Sequence, residues 1–96
     1  MVKHIVTFKV KDENKKDNLA KAKEIIEALK DKISEIVHIE VGIDFGLDAN
    51  PSDFVIYSEF KTKADLEIYA KHPEHIKVVD FIKTIAIERR VVDYEI

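Results

Sequence analysis

Four segments of the chain alternate apolar and polar residues at the period of two that is typical of β-strands. They span residues 2–10, 37–45, 54–60 and 90–96. Successive side chains of a strand point to opposite faces of a sheet, so each segment can turn one face toward a core. The pattern therefore predicts a four-stranded sheet.

Two stretches between these strands have the three- and four-residue apolar spacing of amphipathic helices. The apolar positions of the first are Leu19, Ala22, Ile25, Ile26, Leu29 and Ile33. In the second, Thr62 is a predicted N-cap, and Pro73 interrupts the helix because proline lacks a backbone donor. We expect two helical pieces there. The apolar positions of the later piece are Ile76, Val78, Val79, Phe81, Ile82, Ile85 and Ala86.

The resulting order of elements is β-α-β-β-α-β, the split βαβ arrangement in which both helices cover one face of the sheet. It predicts an α+β, ferredoxin-like fold with a four-stranded antiparallel sheet. A chain of 96 residues is too short for a second core, so residues 1–96 are expected to form one domain.

The sheet face away from the helices is unusually apolar. It includes Ile5, Thr7, Val55 and Tyr57, which are too apolar to leave in water over a whole sheet. A small domain without disulfides also gains stability from association. These features predict a homodimer whose two sheets pack face to face as a dimeric α+β barrel.

Composition excludes several classes of function. The net charge is −3, with Lys and Glu interspersed, so there is no basic stripe for nucleic acid. No apolar run approaches the roughly 18 residues of a membrane helix. The chain has no cysteine, which excludes thiol nucleophiles, disulfides and thiolate metal sites. We expect a cytoplasmic protein that binds neither nucleic acid nor membrane.

One cluster of residues is suited to chemistry. Tyr69 and His75 flank the predicted break at Pro73, and His4 lies on the helix-facing side of the first strand. The break can turn both side chains toward the sheet. Imidazole titrates near neutral pH, and a buried phenol can donate a hydrogen bond to a carbonyl or a developing enolate. The cluster indicates general acid–base catalysis in a pocket between sheet and helices.

The whole chain resembles the stress-responsive A/B barrel domain family of the dimeric α+β barrel superfamily. The residues that carry the resemblance are Lys3-His4-Ile5-Val6 with Phe8-Lys9, then Phe60, Tyr69, His72-Pro73-Glu74-His75 and Val92-Asp93-Tyr94. The resemblance implies a homodimer with a cavity in each subunit between sheet and helices.

The family includes a plant polyketide cyclase that closes a linear polyketide by aldol condensation. By resemblance, its catalytic tyrosine corresponds to Tyr69, its catalytic histidine to His75 and a supporting histidine to His4. This implies a small carbonyl or polyketide-like ligand, and no cofactor or metal is expected. The residues expected to form the substrate-binding wall are Val6, Phe8, Ile56, Ala70, Val78, Phe81 and Ala86.

Other interpretations remain open at this point. His4 can be a hydrogen-bonded core histidine, and His72 is expected to be a structural turn residue. A metal site at His72, Glu74 and His75 is disfavoured, because Pro73 breaks the helical face that it needs. Some members of the family that the chain resembles bind a divalent cation near the end of the first helix, so a similar site is an open possibility here.

Two other functions are also compatible with the sequence. The protein can be a non-catalytic, stress-related or scaffold dimer whose interior is filled by its own side chains. A relationship to haem-degrading monooxygenases rests on fold-level analogy alone.

Overall fold

The computed structural model covers residues 1–96 and contains four strands and three α-helices. The strands are β1 (Val2–Val10), β2 (His38–Ile43), β3 (Phe54–Phe60) and β4 (Ala86–Glu95). The helices are α1 (Lys15–Glu27), α2 (Lys63–Lys71) and α3 (Pro73–Ile85), and a 3₁₀ turn at Ala28–Asp31 follows α1.

The four strands form one antiparallel sheet in the order β2-β3-β1-β4. β1 is central and pairs with β3 on one side and β4 on the other, so that His4 lies opposite both Ser58 and Asp93. The predicted ferredoxin-like α+β fold is confirmed. None of the helices has the length and apolar character of a membrane span.

The core lies between the helices and one face of the sheet. The strands contribute residues at alternate positions, among them Val6, Phe54 and Phe60, and the predicted apolar positions Ala22 and Ile26 of α1 are fully buried against them. Burying such side chains contributes about 1.5–3 kcal/mol each relative to exposure. The period-two and helical patterns therefore identified the correct inner faces of β1, β3 and α1.

The two edge strands differ from their predicted lengths. β2 ends at Ile43, which pairs with Phe54, the first residue of β3. Phe45 has no strand partner, and its side chain is 89% exposed, so its predicted place in β2 is wrong. β4 begins at Ala86 rather than Arg90, because Ala86 pairs with Val10 directly after α3 ends.

Two helical predictions also need correction. α1 ends at Glu27, and the buried Leu29 and Ile33 belong to the tighter turn and the segment that follow it. Ile76 is half exposed rather than on the buried face of α3, which consists of Val78, Ile82 and Ile85. Apolar residues surround much of α3, so packing rather than periodicity decides which stripe is buried.

The junction between α2 and α3 follows the predicted break. The Thr62 hydroxyl caps α2 by accepting the Asp65 N–H at 3.1 Å, as predicted. His72 ends α2 in an extended conformation and begins α3, where its Nδ1 accepts the Glu74 N–H at 3.1 Å. Pro73 occupies the first helical position, where its missing N–H costs nothing. His72 is therefore a structural turn residue, as predicted.

We predict that His72→Ala lowers the free energy of unfolding by about 1 kcal/mol, because the first turn of α3 loses an N-terminal cap. Urea denaturation at one fixed protein concentration measures the change. His72→Asn supplies a capping oxygen and is expected to retain most of the stability. Equal destabilisation by both variants would contradict a capping role.

Candidate functional site

A cavity of about 680 Å³ lies between the sheet and the α2/α3 pair. Its size is within the range of small-molecule sites, which are usually concave and mostly apolar. The three predicted catalytic residues, His4, Tyr69 and His75, all line it. The other lining residues are Val6, Phe8, Ile56, Leu66, Ala70, Val79, Ile82, Lys83, Ala86, Ile87, Glu88, Arg89 and Asp93.

Tyr69 is the most buried of the three predicted catalytic residues. Its side chain extends from the last turn of α2, is only 2% exposed and packs on Phe60, with ring centroids 5.0 Å apart. Burial raises the pKa of the Tyr69 phenol to about 12. The phenol therefore keeps its proton at neutral pH and can donate a hydrogen bond into the cavity.

His75 lies in the first turn of α3 and packs against Tyr69, with ring centroids 4.2 Å apart and ring planes tilted by 39°. Its Nδ1 is 3.1 Å from the carbonyl oxygen of Ala70, which can only accept, so Nδ1 carries the proton. Burial lowers the pKa of His75, and the nearby charges of His4 and Arg89 lower it further, against the raising effect of the Ala70 carbonyl. At neutral pH the ring is neutral, and its unprotonated Nε2 can act as a base.

His4 lies on β1 with its ring centroid 6.2 Å from that of Tyr69. Its Nδ1 pairs with the carboxylate of Asp93, the residue opposite it on β4. A carboxylate that accepts from one ring nitrogen fixes the orientation of an imidazole and leaves Nε2 for other contacts. His4 is therefore held by a partner on the neighbouring strand.

Five of the seven predicted wall residues line the cavity, namely Val6, Phe8, Ile56, Ala70 and Ala86. Val78 and Phe81 do not. Val78 is buried in the core, and the Phe81 ring is 4.4 Å from the Lys21 ammonium of α1. The neighbouring turn positions Val79 and Ile82 line the cavity instead. The helical pattern located the right segment, but the rotation of α3 decides which of its residues face the cavity.

Sequence reasoning did not identify Asp93, Arg89 or Lys83 as site residues. All three line the cavity. Asp93 and Arg89 lie opposite His4 and Phe8 in the antiparallel register, so counting along the paired strands could have found them. Lys83 lies on a helix, so strand register does not locate it. Lysines are also common on the solvent-facing side of helices, so its residue type did not single it out.

The histidines of the disfavoured metal site do not converge. His72 caps α3, whereas His75 donates to Ala70. No group of three His, Asp or Glu side chains is placed to share a metal ion.

The face of the sheet away from the helices carries apolar and paired polar residues. Ile5, Val55 and Tyr57 are only half buried there, and Val92 of β4 is 53% exposed. The polar groups are paired: the Glu59 carboxylate accepts from the Lys3 ammonium and, at 2.8 Å, from the Tyr57 hydroxyl. The face thus combines apolar area with an ion pair, that of Lys3 and Glu59, whose charges neutralise each other.

Comparison with known proteins gives a consistent result over the whole chain. The sequence model of the Stress responsive A/B Barrel Domain matches residues 2–96. A stress-response A/B barrel domain-containing protein of Arabidopsis thaliana, DABB1, is 28% identical over 99 residues. That alignment includes 98% of this chain and 46% of the relative, so the chain spans about half the length of this curated relative.

Solved structures show the same fold. A dimeric protein with a ferredoxin-like fold from Bacteroides fragilis is 40% identical, with a TM-score of 0.91 over 99% of this chain and 95% of that one. An antibiotic biosynthesis monooxygenase is also similar, with a TM-score of 0.81, 21% identity and coverage of 100% of this chain and 98% of that chain. At that identity the second likeness indicates a shared fold alone.

We predict that neutral His75 is the Nδ1–H tautomer, because its Nδ1 donates to Ala70. Nitrogen-15 chemical shifts of the labelled protein above pH 7 distinguish the two tautomers. His38 serves as the internal control, since its Nε2 is 2.6 Å from the Glu40 carboxylate and should carry the proton. An Nε2–H tautomer at His75 would place its free nitrogen away from the cavity and contradict the assignment.

Proposed function

Because the chain belongs to the stress-responsive A/B barrel domain family, we propose that it forms a homodimer whose cavities bind a small carbonyl compound and catalyse cofactor-free proton transfer on it. His75 is the base, Tyr69 holds the carbonyl oxygen and His4 supports them. An intramolecular aldol condensation, as in a polyketide cyclase, is one outcome of this chemistry.

The contact between Tyr69 and His75 carries the proposal. Their rings are 4.2 Å apart beside the same apolar cavity. Burial favours the protonated phenol of Tyr69 and the neutral imidazole of His75. A hydrogen-bond donor and a base are thus adjacent, each in the state that it needs at neutral pH.

The proposed reaction needs only these two groups. The Tyr69 hydroxyl donates a hydrogen bond to the substrate carbonyl, which stabilises negative charge on that oxygen. The Nε2 of His75 then removes a proton from the adjacent carbon, and the C–H electron pair becomes the enolate. The imidazolium returns the proton to carbon. Alternatively, the enolate carbon attacks a second carbonyl of the same molecule, and the imidazolium protonates the new alkoxide. Loss of water from this β-hydroxy ketone completes the condensation.

The cavity argues against a filled-core scaffold. A scaffold gains most from a close-packed interior, because an empty volume forfeits packing contacts. Here, instead, a concave cavity of about 680 Å³, large enough for a small molecule, reaches the buried Tyr69. Ligand binding gives this volume a function.

The outer sheet face supports the homodimer. Val92 and Tyr94 of β4 are 53% and 44% exposed, and they continue the apolar surface of Ile5 and Tyr57 across the sheet. Packing two such faces together removes apolar area from water. The charges of Lys3 and Glu59 on this face are already paired, which reduces the cost of covering them.

We predict that the protein accelerates exchange of the α-protons of hexanophenone, a simple aryl ketone, with solvent deuterium. Proton NMR in D₂O measures the rate. His75→Asn is expected to reduce the catalysed rate by about 10²-fold or more, because asparagine can still donate to Ala70 but offers no base. Tyr69→Phe removes only the hydroxyl and should reduce the rate by about 10²-fold.

His38→Asn is the matched control, since His38 is an exposed histidine paired with Glu40, and it should exchange at the wild-type rate. The rate should rise with pH through a His75 pKa below the ordinary 6.5, because only neutral imidazole accepts a proton. It should then stay level until Tyr69 ionises near pH 12. Undiminished exchange by His75→Asn would remove His75 from the mechanism.

We predict that the protein sediments as a dimer at micromolar concentration and that Val92→Glu shifts it toward monomer, because a charge is then placed on the apolar outer face. Val91→Glu is the matched control. Val91 is the adjacent residue, is similarly exposed at 47% and points to the opposite face. Analytical ultracentrifugation of the three proteins tests this. A wild-type monomer, or equal dissociation by both variants, would refute the interface.

A further inference from the structure

Two cationic side chains border the mostly apolar cavity, which two carboxylates, Glu88 and Asp93, also line. Arg89 of β4 lies opposite Phe8 in the strand register, on the face that holds the cavity. Lys83 of α3 lines the same cavity from the helical side. The cavity is therefore flanked by positive charge from two elements, although the chain as a whole is acidic, with a net charge of −3.

The carboxylates near these cations are engaged elsewhere. Glu88 forms an ion pair with Arg90 at 3.0 Å, and Asp93 pairs with His4. Neither Arg89 nor Lys83 has an acidic partner among the ion pairs of the chain. Both side chains are exposed, so their charge is available to a ligand that enters the cavity.

We propose that the ligand of this cavity is an amphiphilic keto acid, whose carboxylate binds Arg89, assisted by Lys83, while its apolar chain contacts Phe8 and Ala86. The assignment of the ketone to Tyr69 and His75 rests on the proposed function. Arginine suits this role, because its planar guanidinium can bind both oxygens of a carboxylate.

Strand geometry limits the length of the ligand. His4 marks the reactive end of the cavity and Phe8, opposite Arg89, the cationic end. They are four positions apart along the strand, or roughly 13 Å at about 3.3 Å per residue. The reach of the arginine side chain shortens this span, so several carbon atoms must separate the ketone from the carboxylate.

Ligand charge has a consequence for the base. The positive charge of Arg89 contributes to the lowered pKa of His75, after burial and alongside His4. A carboxylate bound at Arg89 neutralises that charge and raises the proton affinity of His75. A keto acid therefore strengthens the base that acts on it, whereas a neutral ketone does not.

Isothermal titration calorimetry of three compounds with one skeleton tests the proposal: hexanophenone, its terminal carboxylate 6-oxo-6-phenylhexanoate, and the matching primary amide. The carboxylate should bind about tenfold more tightly than the amide, the ratio expected for a charge-assisted hydrogen bond of about 1.4 kcal/mol. The preference should shrink as salt rises, because ionic strength screens the attraction.

Arg89→Gln should remove most of the preference, with Lys83 keeping a small remainder, and leave binding of the amide unchanged. Arg90→Gln is the matched control, because Arg90 lies on the outer face opposite Thr7 and should keep the preference. Equal affinity of the wild type for carboxylate and amide would overturn the carboxylate site while leaving the ketone pocket in place. Absence of binding by all three compounds would overturn both the carboxylate site and the proposed function.

Discussion

The register of β1 between β3 and β4 is the constraint on which the site depends. It places His4 beside Asp93 and Phe8 beside Arg89, and it turns Val6 toward the cavity. A slip of one residue would exchange the two faces of the strand. Ile5 and Thr7 would then face the helices, and His4 would lie on the outer face. The same hydrogen bonds that build the sheet therefore assemble the polar groups of the cavity.

The break between α2 and α3 supplies the other half of the site. In a continuous helix, Tyr69 and His75, six residues apart, would point about a third of a turn away from each other and lie roughly 9 Å apart along the axis. Pro73 ends that regularity, and the extended backbone of His72 redirects the chain. Nδ1 of His75 can then reach back to the carbonyl of Ala70. One interrupted helix thus brings a phenol and an imidazole into contact at a buried position.

Membership of the stress-responsive A/B barrel domain family gives these local features a common setting. The two faces of the sheet have different surroundings. One face, with the helices, borders the cavity, and the other carries the apolar surface of Val55 and Tyr57, where the proposed dimer interface lies. The proposed catalysis and the proposed dimer interface can then be altered separately, because neighbouring residues such as Val91 and Val92 point to opposite faces.

The sequence by itself determined the type and order of the elements, the inner faces of β1 and β3, and the break at Pro73, because these follow from local periodicity and proline chemistry. It also singled out Tyr69, His75 and His4, whose residue types suit acid–base chemistry. Only the tertiary structure decided that Asp93 pairs with His4, that Arg89 and Lys83 border the cavity, and that Val79 rather than Val78 faces it. Those outcomes depend on strand register and on the rotation of α3. Both arise from packing between segments that are distant in the chain, so no single segment carries a periodic pattern that reveals them.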